Sequence, residues 1–395
     1  MGNDLKIILL SGLLTLGLSA CAGLETSSRA SPIAGKLPSD SAVGAATFDP
    51  QGRLWRVLIA GSYVYVDYSD DYGKHYNGPV RVNQGPQRIV ANPEDRPAIA
   101  VDPQGRVAVL YPVMGPQGLS PYFSYSSDGG KRFSTPVPIS SHADQTKQIQ
   151  STMANDPNGR VYIFWNDEQG TDSAAEQSAA LYLASPERLD VPAFVGQKLK
   201  DGMCNCCRLA VDFDTDGRAV VFGRFVFEGG IRDHGMLKAG PNGIIDMPWR
   251  VTDDEWQIDA CPVHGPALSI AADGRYHIAW FTQGDRRQGL FYARSDDRGK
   301  HFSPPMAFGD PEGLAEHPDV LALGQRVVLV WKEFDGEVSR IKFIESRNRG
   351  EHWSAPLTLA STVSAADYPF LITDGKGIFL SWNNVENGYQ LIPVP

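Results

Sequence analysis

Three cysteines stand within four residues at Cys204-Asn205-Cys206-Cys207, and a fourth follows at Cys261-Pro262-Val263-His264 with an imidazole three positions further on. Thiolate sulfur and imidazole nitrogen are soft to borderline ligands, and such a set selects Cu(I) or Zn2+. On this reading Cys204, Cys206, Cys207, Cys261 and His264 gather into one metal cluster with His317 beside it. The ligands must then be reduced and deprotonated. The same residues can instead form disulfides. Four cysteines besides Cys21 are an even number, and an oxidising compartment would pair Cys261 with one of the three. Adjacent Cys206 and Cys207 strain badly if bridged to each other. A redox-active mixture of thiols and disulfide is the third reading. Among the other histidines, His75, His301 and His352 fall inside turn motifs and read as exposed scaffold, and His277 reads as packed in a strand.

Residues so far apart in sequence meet only if a fold brings their loops together, and an internal repeat does so. A turn of Asp or Asn, Gly and a basic residue recurs with its glycine at 52, 105, 159, 217, 274, 324 and 375, at spacings of 53, 54, 58, 57, 50 and 51. Glycine supplies the positive φ that a tight hairpin needs. The strand after each turn alternates and is often aromatic, as in Val161 to Trp165, His277 to Phe281, Val327 to Trp331 and Ile378 to Trp382. No stretch of the mature chain has convincing helical periodicity. Short strands with a beat near 50 residues predict an all-β propeller of four-stranded blades. The repeats count to seven blades, or six if the first and last units merge. The unit after Ser364 has room for three strands, so its outer strand would come from the segment before Ser41.

Four units carry a second turn. Ser69 to Tyr76, Ser126 to Phe133 and Ser295 to Phe302 read Ser-x-Asp-x-Gly-x-x-aromatic, and Ser346 to Trp353 repeats the pattern with Asn348 in place of Asp. These resemble Asp-boxes, the turn of sialidase-like (bacterial neuraminidase repeat) propellers. The resemblance covers essentially the whole mature chain. It implies a structural role for Asp71, Asp128, Asp297 and Asn348, on the face away from the usual site. The Cys-Asn-Cys-Cys and Cys-Pro-Val-His pair resembles a variant subgroup of sialidase-like lipoproteins.

In a propeller the Gly turns and Asp-boxes share one face. The residues that begin the innermost strands ring the channel mouth on the other. Here these are Arg96-Pro97, Gln150-Ser151, Cys206-Cys207-Arg208, His264-Gly265-Pro266, Glu316-His317-Pro318 and Tyr368-Pro369. In family members that are enzymes, three arginines hold a substrate carboxylate, a Tyr activated by a Glu is the nucleophile and an Asp is the acid/base. The family's Arg-Ile-Pro motif is absent, and Arg96-Pro97-Ala98 comes nearest. Arg208 and Tyr368 stand at strand starts, Arg224, Arg232 and Glu228 are expected on one working-face loop, and Asp167 and Glu168 on another. Two functions stay open. One is a lipid-anchored, non-catalytic envelope protein with a Cys/His metal or redox site. The other is an exo-sialidase, another glycoside hydrolase or a glycan-binding protein with an Arg-rich face.

The chain has 395 residues, 42% of them hydrophobic and 21% charged, which is a globular balance. Its 36 Lys+Arg against 46 Asp+Glu give a net charge of −10. That leaves no electrostatic footprint for nucleic acid and no attraction to anionic lipid. Ile7 to Leu18 is apolar but too short to span a bilayer. It runs into Leu18-Ser19-Ala20-Cys21, which resembles a bacterial lipoprotein signal. The resemblance implies removal of residues 1–20 and a lipid on the Cys21 sulfur. Residues 21–42 then form a tether, and 43–395 a single monomeric propeller in the cell envelope. Ala22, rather than Asp, after Cys21 indicates the outer membrane of a Gram-negative host. Cys21→Ser should therefore move the protein from the membrane to the soluble fraction; unchanged fractionation would remove the anchor.

Overall fold

The computed structural model describes residues 43–395 except 117, 140–149, 169–170, 172–177, 190–193 and 261, together with the side chains of 244, 245 and 247. Seven innermost strands run through Ala45–Phe48, Ala98–Val101, Ser151–Asn155, Ala210–Phe213, Ala267–Ile270, Glu316–Leu323 and Phe370–Thr373. Each begins an antiparallel meander, and these meanders are blades 1 to 7. The innermost strands neighbour one another in sequence order. The last lies beside the first, which closes the ring. Blades 3 and 4 belong to one eight-stranded sheet, joined only by the pairing of Met203 with Phe225. Blade 7 has three strands, and the fourth expected from before Ser41 falls outside the described residues.

The repeated glycines all turn with positive φ, for example Gly52 at 82° and Gly159 at 84°. In the first turn Asp49 Oδ1 accepts the amides of Gln51 and Arg53, and Gly52 N–H donates to the Asp49 carbonyl. The second strands carry buried tryptophans at Trp55, Trp165, Trp280, Trp331 and Trp382. Three of their indole N–H groups reach acids at Asp49, Asp254 and Glu333, at 2.8, 2.9 and 2.7 Å. Apolar clusters fill the successive spaces between blades 1 to 7. The closing space between blades 7 and 1 is filled differently. Phe48, Tyr72 and Phe379 pack ring against ring there, and Tyr72 donates to Asp374 at 2.8 Å. Innermost strands are also stapled across blades: Asp212 accepts Ile270 N–H at 2.6 Å, and Asp319 accepts Leu371 N–H at 2.7 Å.

The four Asp-box turns share one geometry. Asp71, Asp128, Asp297 and Asn348 each accept the amide four residues on, at 2.9 Å. The Ser before each accepts the glycine amide at 2.8 to 2.9 Å. Asp128→Ala should lower the melting temperature without touching a ligand on the opposite face. Hydrogen bonds from the Arg132 side chain and amide hold the Asp128 carboxyl at about 2, below its ordinary 3.8. The lowered value means that this stabilisation is full above about pH 4 and is lost as pH falls towards 2. The melting difference between wild type and variant should narrow across that window.

Candidate functional site

The strand starts meet at the channel mouth. The His264 and His317 rings lie 4.6 Å apart, and His317 stacks on Tyr368 at 3.3 Å between centroids. Metal-ligating atoms of His264, Glu316 and His317 fall within 4.8 Å of one another. Glu94 Oε1 stands 3.8 Å from His317 Nδ1, and Lys332 Nζ holds Glu316 at 3.0 Å. The Arg208 guanidinium lies over Phe370 at 4.8 Å. A Cβ on Gly265 would strike the Arg208 side chain and carbonyl, so only glycine lets this arginine pass to the mouth.

Burial sets the charges. It lowers His264 to about 3 and His317 to about 4, so both imidazoles are neutral at physiological pH. Burial raises Glu94 to about 7 although Arg208 opposes the shift. Burial also acts against the Glu316 carboxylate, but His317 and Lys332 outweigh it and lower the group to about 2. Burial pushes the Tyr368 phenol up, with the Glu94 carboxylate adding to the effect. Several atoms here lack a well-formed hydrogen bond within the protein: both Glu94 oxygens, Arg208 Nε and Nη2, His264 Nδ1 and His317 Nδ1. A buried polar atom without a partner costs about 1–3 kcal/mol. Such a concentration in one place is a ligand-site pattern rather than a scaffold pattern.

The backbone is strained at the same place. Seven non-glycine residues among those described have positive φ. Tyr72, Arg298 and Arg349 shape Asp-box turns. Of the other four, Glu255, Val263 and Leu314 lie in the segments that lead blades 4 and 5 into the next, and His317 is the second residue of the innermost strand of blade 6. Val263, at 49°, is β-branched and pays most for that conformation.

The cysteines form a separate group. Cys204 ends the outer strand of blade 3, Gln197–Cys204, and Cys206 and Cys207 occupy the turn after it. Cys204 Sγ lies 3.7 Å from Cys206 Sγ, 3.6 Å from Cys207 Sγ and 3.6 Å from Arg232 Nη1. Cys204 and Cys207 carry free thiols. Cys206 is not among the free thiols. A hydrogen bond from Cys207 lowers Cys204 to about 6 against the cost of burial, helped by the charges of Arg224 and Arg232. Its side of that bond, with burial, pushes Cys207 well up.

The donors expected from sequence as one metal cluster are placed as follows. Among the described residues the sulfurs and the imidazoles fall into two groups, and Glu316 joins the imidazoles. Cys206 is not a free thiol, and Arg224 and Arg232 bring positive charge to Cys204. Cys261 lies outside the described residues.

The arginines differ from expectation too. Arg224 and Arg232 lie in paired strands of blade 4 rather than on a loop. Arg224 donates to the carbonyls of Arg232, Phe281 and His264. Arg96 forms a two-nitrogen pair with Asp367, at 3.2 and 2.7 Å, and bonds the Gly44 carbonyl. These contacts commit both Arg96 and Arg224 to the scaffold. Asp167 is buried at the end of its strand, Glu168 accepts from Asn205, and Glu228 is exposed in a short 3-10 turn. Glu94 had no sequence signal, because it stands two residues before the strand-start position.

No family model and no curated protein matches the sequence. Solved structures are similar in fold. The Hadza microbial sialidase Hz136 is 14% identical, with 90% of this chain and 74% of that one covered, at a TM-score of 0.50. An ulvan lyase of polysaccharide lyase family 25, bound to -[GlcA(1-4)Rha3S]-, is 12% identical over 90% of this chain and 95% of that one, at 0.56. A second structure of that lyase aligns at 0.55.

The Cys204 environment has a spectroscopic consequence. Thiolate absorbance near the ultraviolet edge should rise with a midpoint below the ordinary thiol range. Cys207→Ala removes the leading hydrogen bond and should move that midpoint upward. A midpoint in the ordinary thiol range for wild type would contradict the arrangement.

Proposed function

We propose that this protein is a lipid-anchored cell-envelope propeller that binds one divalent transition metal at its channel mouth through His264, Glu316 and His317. The carrying observation is the trio itself, with two neutral imidazoles, one half-buried and one buried, and an ionised carboxylate within 4.8 Å. Two histidines and a glutamate leave a further position open on a tetrahedral Zn2+. Replacing thiolate by carboxylate moves the preference away from Cu(I), so Zn2+ leads and Cu2+ follows. Lys332 orients Glu316, and Tyr368 stacks on the His317 ring. The reading commits to binding and assigns no reaction. Cys21 and the tether keep the site at the membrane surface, outer membrane first.

Arg208 favours a second reading. Its Nε and Nη2 lack partners beside Glu94 and Tyr368, and a guanidinium fork suits a sugar carboxylate. The sialidase and the lyase bound to a glucuronate-containing sugar make an acidic glycan the natural class to try. Arg208→Gln should then abolish binding of acidic oligosaccharides and leave Zn2+ binding intact.

Calorimetric titration of metal-stripped protein with Zn2+ tests the first reading. About one equivalent should bind, and His264→Ala or His317→Ala should weaken binding at least about ten-fold. Absence of stoichiometric binding, or equal affinity in folded variants, rejects the metal site.

A further inference from the structure

A cleft of about 520 Å3 opens beside the metal trio, between blades 5 and 6. It runs from His264 and Glu316 out to Ala307 and Phe308 on the outer strand of blade 5. His264 and Glu316 are half-buried, whereas His317 is 3% exposed. The two donors that solvent reaches are therefore the two that line the cleft. Phe281, Leu290, Phe308, Pro311 and Leu314 make its walls apolar. Gln283 and Gln288, register partners at the exposed end of a hairpin, supply two amides. Among the described lining residues Glu316 is the one charged side chain. Arg208, on which the acidic-glycan reading depends, does not line the cleft.

The outer wall, residues 309–315, is held in place. Glu333 accepts the Asp310 N–H at 3.1 Å, Gly313 N–H donates to the Asp310 carbonyl at 3.0 Å, and Phe334 N–H donates to the Gly313 carbonyl at 2.9 Å. Gly309 turns with a φ of 79°, and a Cβ there would stand 2.6 Å from the Ala315 Cβ. Leu314 is 62% exposed and keeps a φ of 47°. The space is thus preformed and apolar, with a few polar groups, which is the usual character of a small-molecule site.

Charge selects the occupant. A divalent ion held by two neutral imidazoles and one carboxylate keeps one positive charge and an open position. An anionic oxygen complements both. A second negative charge would find no basic partner among the described lining residues, and the exposed Asp310 and Glu312 on the outer wall would repel it.

We propose that this cleft binds a singly charged organic anion, with its oxygen head on the metal at His264 and Glu316 and its uncharged, largely apolar body against Phe281, Phe308 and Leu314. The proposal rests on the metal reading, because the metal holds the head. Gln283 and Gln288 are placed to meet a hydroxyl or amide on the body.

Calorimetry on the full chain, with Zn2+ titrated first and the organic probe second, tests it. Phenylbutyrate is the probe, acetate supplies the head alone, and phenylbutanol the body with no charge. Phenylbutyrate should bind the Zn2+-loaded protein at least about ten-fold more tightly than acetate, since its ring and chain leave water. It should also bind more tightly than phenylbutanol, and lose that advantage in metal-free protein. Ala307→Trp, at an exposed position, should fill the cleft and reduce phenylbutyrate to the affinity of acetate while Zn2+ still binds. Leu314→Ser, also exposed, should weaken phenylbutyrate and leave acetate unchanged. If Zn2+ binds but phenylbutyrate is no tighter than acetate, the cleft is overturned and the metal reading stands. Equal phenylbutyrate affinity with and without Zn2+ overturns the placing of the head. Failure of Zn2+ itself to bind overturns both. The wild-type comparison decides even if either variant fails to fold.

Discussion

Each blade is apolar on both of its faces, and neither face can be left in water. The second strand of blade 6 makes the point. Val327, Leu329 and Trp331 enter the core shared with blade 5, while Val328 and Val330 enter the core shared with blade 7. Fully burying one such side chain contributes about 1.5–3 kcal/mol, so a lone blade forfeits half of its stabilisation. A closed ring is the arrangement that gives every blade two neighbours. The seam where the ring closes relies on stacked aromatics and on the Arg96–Asp367 pair, because the last blade meets the first without a repeat-encoded partner strand among the described residues.

Closing the ring has a second effect. It drives the starts of the innermost strands towards one axis, and these carry Arg208, His264, Glu316, His317 and Tyr368. Charged and polar groups are thereby buried at the mouth without the regular hydrogen-bond ladders that satisfy a strand. The shifts of Glu94, His264 and His317 have that common origin, since burial is the leading cause in all three. The positive φ at Val263, Leu314 and His317 belongs to the same region, where the chain must turn sharply into the next innermost strand.

Neighbouring charges differ between the two donor groups, although Arg208, Arg224 and Lys332 also act on the imidazoles. Around Cys204 the nearest charges are Arg224 and Arg232, which favour a sulfur anion and oppose a metal cation. Around His317 stand Glu316 and Glu94, which favour a cation, while burial keeps the imidazoles neutral against the opposing effect of Glu316. Arg224 touches both regions, since its guanidinium bonds the His264 carbonyl.

The local features were legible from sequence because their physics is local. The glycine turns need positive φ within four residues, and the Asp-boxes close their hydrogen bonds within the turn around Asp71, Asp128, Asp297 and Asn348. Their common period was enough for the propeller, its seven blades and the list of strand starts that face the mouth. What sequence left open was decided by contacts between residues tens or hundreds of positions apart. Arg96 is consumed by Asp367 and Arg224 by three carbonyls, which no motif announces. Cys204 and His264 looked like ligands of one ion because both precede innermost strands of adjacent blades. They belong to different groups because the donor set depends on side-chain direction and on the charges packed beside it, and only the closed ring sets those.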